Sequence, residues 1–279
     1  MDISWLQSTM LGFVSGLSEP LPVSAEAHRT VLARFFGTGE FSPLMLFVCH
    51  LASLAVVLLM GRLELKRLRR TARLLKTPAR RRTVQPELNS TGTLKLLRTA
   101  LPIAIVGRLL GFYLDDIGQK LYLLTLTLIL SAIILHIPTH MRTANKDGRH
   151  LQKTDAILMG LGYALSAIPG VSGVGACVSA GLIQGADRRY AVRFAWILLC
   201  AGLCVSLGID VLGILGSALK FDLSLILSLV AAGISAAVGT ALAVQLMFSL
   251  IRRGGVGISG FSYYNWGLAL LCMALFLLV

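Results

Sequence analysis

Long runs of apolar residues dominate the sequence and predict membrane-spanning helices. The hydropathy pattern predicts spans near residues 43–60, 100–115, 120–139, 192–216, 223–250 and 261–279. Each run is long enough, or nearly so, to cross a hydrocarbon core of about 30 Å at a rise of about 1.5 Å per residue. The pattern therefore predicts an all-α, polytopic membrane protein with about six transmembrane helices.

Two other apolar regions, residues 1–36 and 155–186, are interrupted midway by proline and small residues. The interruptions read LSEPLPVSAEAH (17–28) and LSAIPGVSGVGA (165–176), and neither half of either region is long enough to span. Broken helices at membrane depth persist only where they are buried in protein or line a wet cavity. We therefore predict two re-entrant helix–loop–helix hairpins.

The two interruptions align with each other at a fixed offset. Four positions are then identical, pairing Leu17, Ser18, Val23 and Ser24 with Leu165, Ser166, Val171 and Ser172. Each hairpin precedes three predicted spans, and an odd number of crossings inverts the second copy. The pattern predicts a single membrane domain of two inverted repeats, 1–140 and 155–279, as in many transporters. A chance match of common residues is the alternative.

Composition and charge agree with this class. The chain is 56% hydrophobic and 14% charged, which excludes soluble, fibrous and disordered proteins. Its net charge of +13 is concentrated in residues 61–99, where twelve lysines and arginines stand against Glu64 and Glu87. A cationic cytoplasmic loop beside a span accounts for this charge, so we expect no nucleic acid partner.

The remaining charges fit one topology. With 61–99 in the cytoplasm, the turn at Asp115 and Asp116 lies outside. The other basic clusters, at 142–153, 188–193 and 252–253, then all return to the cytoplasmic side. On this plan the N-terminal hairpin opens to the exterior and the second hairpin to the cytoplasm.

The first interruption carries the candidate chemistry. Glu19, Ser24, Glu26 and His28 lie within ten residues of an otherwise apolar hairpin. Ionisable groups at membrane depth are costly, so they are functional candidates by default. For Glu19, Glu26, His28 and the adjacent Arg29, a position at the wet mouth of the hairpin is the alternative.

The second interruption supplies candidate phosphate donors. Gly170, Gly173 and Gly175 surround Ser172 where a helix restarts, and exposed backbone N–H groups at such a restart suit phosphate oxygens. Close helix packing is the alternative explanation for these glycines. Together, the two interruptions bring oxyanion donors towards a carboxylate able to hold a divalent ion and a histidine able to transfer a proton.

These motifs resemble the BacA family of undecaprenyl-diphosphate phosphatases, also called bacitracin-resistance proteins. The similar segments are GLSEPLPVSAEAH (16–28), HLASLAVVLL (50–59), LPIAIVGRLLG (101–111), IPGVSGVGACVSAGLIQGADR (168–188) and AVRFAWIL (191–198). The family removes one phosphate from the C55 lipid carrier during its recycling for cell-wall synthesis. The resemblance implies a multi-pass protein of the bacterial plasma membrane, with a polyprenyl diphosphate lipid as substrate and a homodimer as an alternative to the monomer.

The resemblance also implies roles for individual residues. Glu19, Ser24 and His28 match the first family motif as catalytic residues, with Glu19 as the ligand of Mg²⁺ or Ca²⁺ and His28 as nucleophile or general acid. Gly170, Ser172 and Gly175 match the second motif and would bind phosphate.

Several family positions are changed. An earlier glutamate is Ser15, a second serine is Ala25, an arginine is Gly173, the following serine and threonine are Val174 and Cys177, and a late arginine is Asn265. Phosphoryl transfer depends on positioning and charge neutralisation, and glycine cannot replace a bidentate guanidinium. Such losses typically reduce the rate about a thousandfold, so a catalytically degenerate polyprenyl-phosphate carrier or binding protein is the alternative function.

Two residues could compensate. Glu26 could replace the lost acid and Arg108 the lost cation, both as substrate-binding residues; for Arg108, pairing with Asp115 or extension to the exterior surface is the alternative. His50 is interpreted as a packed core histidine that is hydrogen-bonded to Ser53 or a carbonyl.

Overall fold

The structure, a computed structural model, describes residues 4–38, 41–82, 84–140, 145–217, 222–252 and 257–278. These residues form twelve α-helices, which are α1 (Trp5–Ser18), α2 (Ala25–Phe35), α3 (Pro43–Met60), α4 (Arg62–Lys76), α5 (Leu88–Gly111), α6 (Asp115–Gln119), α7 (Leu121–His136), α8 (Lys153–Ala164), α9 (Gly173–Ile183), α10 (Arg188–Leu215), α11 (Leu223–Arg252) and α12 (Gly257–Leu278). No β-strand occurs among the described residues, and the all-α prediction is confirmed.

Five stretches within the described residues are long and apolar enough to cross a membrane. They are Pro43–Met60, Leu121–His140, Arg188–Leu215, Leu223–Ile251 and Gly260–Leu278, and they confirm a multi-pass membrane protein. The sixth predicted span, 100–115, falls in the C-terminal part of α5, whose 24 residues extend about 36 Å. Lys95, Arg98 and Arg108 distinguish α5 from the five more apolar stretches.

Both predicted interruptions are present. Residues 19–24 separate α1 from α2, and residues 165–172 separate α8 from α9. At each restart a serine with extended backbone caps the second helix, because the hydroxyls of Ser24 and Ser172 each accept a hydrogen bond from the amide three residues later. The four helices have 14, 11, 12 and 11 residues. Each is therefore about 16–21 Å long and too short to cross a 30 Å core alone.

The helices of the two halves pack in a reciprocal pattern. Helix α1 packs along α11, and its sequence counterpart α8 packs along α5. The third helices of the two halves, α3 and α10, contact each other, and so do the last helices, α7 and α12. This reciprocity favours a division into repeats at 1–140 and 155–279, which stays a prediction.

Small residues allow α1 and α11 to approach closely. Gly12 and Gly16 face the backbone of Ala232 and Ala236, and a Cβ atom at either glycine has no room. Small residues four positions apart are a common means of close helix contact in membranes. The Thr240 hydroxyl on α11 also donates a hydrogen bond of 3.0 Å to the Gly16 carbonyl.

The basic segments meet at one end of the molecule. The predicted loop 61–99 consists largely of α4 and the first turns of α5. Arg193 Nη1 on α10 lies 3.7 Å from Glu64 Oε2 on α4. The Gly148 amide donates to Asn89 Oδ1 on α5 at 2.9 Å. This common end is the arrangement that the predicted topology requires.

The opposite end is joined by a different contact. Arg34 Nη2 at the end of α2 donates a hydrogen bond of 3.1 Å to the carbonyl of Gln119 in α6. Two residues of the predicted basic clusters, Arg142 and Arg253, lie outside the described residues, as do the side chains of Asp115 and Asp116.

Candidate functional site

The two interruptions meet at a small cavity of about 60 Å³ that adjoins a larger cavity of about 440 Å³ and shares part of its lining. We call them the inner and the outer cavity. Ser24 and Ser172, from the two interruptions, both line the inner cavity. Four side chains line both cavities, namely Glu26, Arg29, Arg108 and Ser206. The structure thus brings the two predicted motifs together at one polar site inside the helix bundle.

Serine hydroxyls form much of the inner wall. Ser24 and Ser172 are almost completely buried, with their hydroxyls accepting capping hydrogen bonds of 3.2 Å and 3.1 Å. Their own hydroxyl protons can therefore be donated to a ligand. Ser166 also lines the inner cavity, and its hydroxyl has no hydrogen-bond partner among the described residues. Three donors are consequently available to an oxyanion, and the sequence analysis did not assign Ser166 a role.

Glu19 lies between two basic side chains. Its Oε1 atom is 3.2 Å from Arg29 Nη1 and 3.6 Å from His50 Nε2. The Arg29 side chain is only 11% exposed, which does not favour the alternative position at the wet mouth of the hairpin. Arg29 instead partly neutralises the carboxylate that the sequence singles out.

His50 is buried, as predicted, but its predicted hydrogen bond to Ser53 or a carbonyl is wrong, and its side chain lines the outer cavity. His50 Nδ1 is 2.7 Å from Asp210 Oδ2, and both side chains are over nine-tenths buried. The Ser53 Oγ atom instead lies 3.0 Å from the Thr240 Oγ1 atom, within hydrogen-bond distance. His50 Nε2 has no hydrogen-bond partner among the described residues and is directed towards Glu19.

Asp210 was missed in the sequence, although a signal for it exists. It lies in the apolar helix α10, where a carboxylate is costly unless it has a partner. Its partner His50 lies in α3, which is equally apolar. A systematic search for ionisable residues within predicted spans finds both, but only the packing of α3 against α10 shows that they form a pair.

Arg108, the predicted compensating cation, lies at the site, and its role there stays a prediction. It lines both cavities, and its Nε donates a hydrogen bond of 3.0 Å to Ser206 Oγ on α10. The position of the missing loop arginine, Gly173, also lines the inner cavity. A Cβ atom at Gly173 falls 2.6 Å from Ser166 Cβ and 2.9 Å from the Tyr163 carbonyl oxygen. This packing excludes a side chain at position 173 unless the neighbouring turn moves.

His28 is near the site but lines neither cavity. Its Nδ1 is 2.6 Å from the Ser24 carbonyl, which can only accept, so Nδ1 carries the proton. Its Nε2 then accepts a hydrogen bond of 2.6 Å from the Tyr264 hydroxyl on α12. The two rings are also stacked, 5.6 Å apart. The structure therefore places His28 one helical turn after Ser24 but directs its ring towards α12.

The predicted phosphate-binding glycines have packing contacts. Gly170 has a φ of 95°, which favours glycine, and a Cβ there collides with Thr127 on α7. A Cβ at Gly175 falls 2.9 Å from Leu135 Cδ2 and 3.1 Å from Pro22 Cβ. Neither glycine lines a cavity. Gly175 permits close contact between the two interruptions, and the phosphate-binding role of both glycines stays a prediction.

Three of the altered family positions, Ala25, Gly173 and Val174, line the inner cavity, whereas Ser15, Cys177 and Asn265 do not. Ala25 lines its wall where the family pattern has a second serine. Ser15, in place of a glutamate, is buried, and its hydroxyl has no hydrogen-bond partner among the described residues. Asn265 Nδ2, in place of the late arginine, donates to the Pro22 carbonyl in the first interruption at 3.4 Å.

The carboxylates provide few ligands for a divalent ion. Glu19 and Glu26 both line the inner cavity. The described residues contain no group of three or more histidine, cysteine, aspartate or glutamate side chains that could hold a metal. Mg²⁺ commonly binds through one or two carboxylates together with substrate phosphates. The donor set therefore suits a cation that is shared with a bound diphosphate rather than one held by protein alone.

Comparisons with known proteins agree with this arrangement. The family description "Bacitracin resistance protein BacA" matches residues 8–271. The chain is 31% identical over 197 residues, or 70% of either protein, to an undecaprenyl-diphosphatase of Nocardioides sp.. It is 29% identical over 273 residues, or 96% of either protein, to that of Carboxydothermus hydrogenoformans. Because the match includes both hairpins that meet at the cavity, the chain belongs to the BacA family of bacitracin resistance proteins.

Proposed function

We propose that this protein hydrolyses a C55 polyprenyl diphosphate to the monophosphate and inorganic phosphate. The observation that carries this proposal is the meeting of both interruptions at one cavity, where serine hydroxyls and two arginines lie beside two carboxylates. The relatives named above are undecaprenyl-diphosphatases, and their similarity extends over most of the chain. The apolar outer faces of the spans suit the lipid tail.

The diphosphate is bound by charge and by hydroxyl donors. Arg108 provides a guanidinium for bidentate contact with phosphate oxygens. Ser24, Ser166 and Ser172 add hydroxyl donors around the inner cavity. In direct hydrolysis, a water oxygen bonds to the terminal phosphorus and releases a proton, the bond from this phosphorus to the bridging oxygen breaks, and that oxygen leaves with the lipid monophosphate. With His28 as nucleophile, the phosphoryl group first passes to the imidazole, and water then releases it as inorganic phosphate. Preorganised donors stabilise the charge that develops in this step.

His28 remains our candidate for the nucleophile or general acid. Its ring reaches the cavity only if it leaves Tyr264, to which it is hydrogen-bonded and stacked. Glu26 lines both cavities and could replace the acid lost at Ser15. Mg²⁺ or Ca²⁺, held by Glu19 and the diphosphate, would neutralise charge on the phosphates.

Phosphate release by the purified protein tests the proposal. C55-diphosphate is supplied with Mg²⁺, with Ca²⁺ or with chelator, and inorganic phosphate is measured alongside a His28→Ala variant. Metal-dependent release that the substitution abolishes supports the hydrolase and the role of His28. Absence of release from the folded wild-type protein contradicts the hydrolase.

A polyprenyl-phosphate carrier or binding protein is the second candidate function. It is favoured by Gly173 and Ala25, which remove a guanidinium and a hydroxyl from the cavity wall. The reciprocal packing of the two hairpins also suits alternating access. Translocation of C55-phosphate across vesicles, without phosphate release, supports this alternative. A homodimer is a further part of the proposal, and light scattering of the purified protein measures it.

A further inference from the structure

A groove on the outer surface of the helix bundle lies away from the two cavities. It lies between the start of α10 and the end of α11 and has a volume of about 790 Å³. Its lining residues are Arg189, Arg193, Leu242, Gln245, Leu246, Phe248, Ser249 and Ile251. None of these lines the inner or the outer cavity. The groove is therefore distinct from the candidate active site.

One end of this groove is strongly basic. Arg189 and Arg193 are one helical turn apart on α10 and both are exposed. Glu64 lies 3.7 Å from Arg193 and 3.8 Å from Arg67, so one carboxylate stands against three guanidinium groups. Exposed ion pairs of this length contribute little to stability and leave the arginines available to another anion. This end thus has an excess positive charge.

The rest of the groove is apolar and has the depth of one leaflet. Leu242 and Leu246 are about 45% exposed on one face of α11. The α11 wall extends from Ile251 to Leu242, and nine residues at 1.5 Å each give about 14 Å. Half of a 30 Å hydrocarbon core is about 15 Å. The length of the groove consequently matches one acyl chain in one leaflet.

The position of the basic end matches the chemistry of that leaflet. Arg189 and Arg193 lie at the same end of the molecule as α4 and its seven lysines and arginines. The positive-inside rule assigns this end to the cytoplasm, where the leaflet carries anionic lipids. Basic pockets between transmembrane helices on this side bind phosphate headgroups.

We propose that this groove binds an anionic phospholipid of the cytoplasmic leaflet, with its phosphate on Arg189 and Arg193 and an acyl chain along Leu242 and Leu246. Guanidinium groups contact phosphate oxygens in pairs, which fixes the headgroup at the groove. Gln245 and Ser249, which also line the groove, provide polar contacts beside the headgroup. A zwitterionic lipid carries a cation that the basic end disfavours. The site depends on neither hydrolysis nor the inner cavity.

Native mass spectrometry of the full-length protein tests this site. The protein is titrated with phosphatidylglycerol or with phosphatidylcholine of the same chains. We expect the wild-type protein to retain phosphatidylglycerol at least tenfold more strongly. The double variant Arg189→Gln/Arg193→Gln should lose this preference. The matched control Arg62→Gln/Arg69→Gln removes the same charge from the exposed face of α4 and should keep it.

Three results would overturn the proposal. Equal retention of the two lipids by the wild-type protein removes the headgroup preference. If the α4 control variant loses the preference for phosphatidylglycerol to the same extent, net charge rather than the groove attracts the lipid. In the third result, stoichiometric C55-phosphate displaces phosphatidylglycerol, and binding of C55-phosphate itself requires Arg189 and Arg193. The carrier lipid is then the occupant of the groove. Because no activity is measured, each result is independent of the proposed hydrolysis.

Discussion

At the scale of single residues, Arg108 is the cation on which the proposed hydrolysis most depends. It reaches both cavities from α5, whereas position 173 has no room for a side chain. We expect Arg108→Gln to lower kcat/KM for C55-diphosphate about 10²–10³-fold, the usual effect of losing a donor to developing charge. Arg108→Lys should recover part of this loss, because lysine keeps the charge without the planar fork.

The control for this prediction is Arg62→Gln. Arg62 is exposed on α4 and lines neither cavity, so its loss should leave the rate of phosphate release unchanged. Unchanged kcat/KM in a folded Arg108→Gln protein contradicts the assignment of Arg108 to the substrate.

The buried pair of His50 and Asp210 leads to a prediction about stability. His50→Ala leaves the Asp210 carboxylate buried without its 2.7 Å partner. Breaking a buried charged pair typically destabilises a protein by about 3–5 kcal/mol. We expect His50→Ala and Asp210→Ala each to lower the unfolding temperature in detergent. In the double variant the unfolding temperature should fall by clearly less than the sum of the two single decreases, because the second substitution removes a group that is already unpartnered.

Ser53→Ala is the matched control for this double-mutant cycle. Ser53 is buried on the same helix, one turn from His50, and contacts Thr240 rather than the cavity. It should change stability by about 1 kcal/mol, the usual value of one neutral hydrogen bond. Strictly additive losses in the His50 and Asp210 variants show that the two side chains do not act as a pair.

Residues that share a short sequence segment were predictable, whereas distant partners were not. Glu19, Ser24 and Ser172 attract attention because polar groups interrupt apolar runs, and all three line the inner cavity. The contact of His50 with Asp210 joins residues 160 positions apart, so it depends on the packing of α3 against α10. The direction of the His28 ring depends on Tyr264, which no local pattern connects with it.

At the scale of helices, the contact of α1 with α11 depends on glycine. Gly16 faces Ala236 so closely that any side chain must separate the two helices. We expect Gly16→Leu to reduce the yield of monodisperse protein severely in size-exclusion chromatography, because α1 also carries the first interruption to the cavity. The control is Gly267→Ala on α12, where a Cβ meets no atom within 4 Å. That variant should elute as the wild-type protein does; if Gly16→Leu elutes equally well, the close contact is not required.

The helical pattern itself was mostly predictable, and its one clear deviation has a physical reason. Residues 61–99 were predicted as a basic loop because their charge excludes a membrane span, yet α4 and the start of α5 are helical. In α4 the buried Leu68 and Thr71 face the bundle while basic residues face outwards. An amphipathic helix at a membrane surface satisfies its backbone and keeps its charges in water. Charge composition therefore locates such a segment without indicating its conformation.

At the scale of the whole molecule, the arrangement of charged ends predicts its orientation in the membrane. The contact of Arg193 with Glu64 joins α10 to α4 at the basic end, and Arg34 is bonded to Gln119 at the other end. Cysteines introduced one at a time into a Cys204→Ser variant test this orientation. The Cys204→Ser substitution removes the native thiol that is exposed. We expect Lys76→Cys and Arg149→Cys to react with a membrane-impermeant maleimide only after the cells are permeabilised, because the positive-inside rule places them in the cytoplasm.

Cysteines at the opposite end should behave in the reverse manner. Lys120 precedes α7 and Asp222 precedes α11, and both are exposed at the starts of helices that run back to the basic end. Lys120→Cys and Asp222→Cys should react in intact cells. Labelling of Lys120→Cys and Arg149→Cys from the same side contradicts a single crossing by α7. The same result contradicts the prediction that the first hairpin opens to the exterior, because Arg34 at the end of α2 is hydrogen-bonded to Gln119, next to Lys120. Access of a diphosphate headgroup to the outer cavity would then have to come from the cytoplasm.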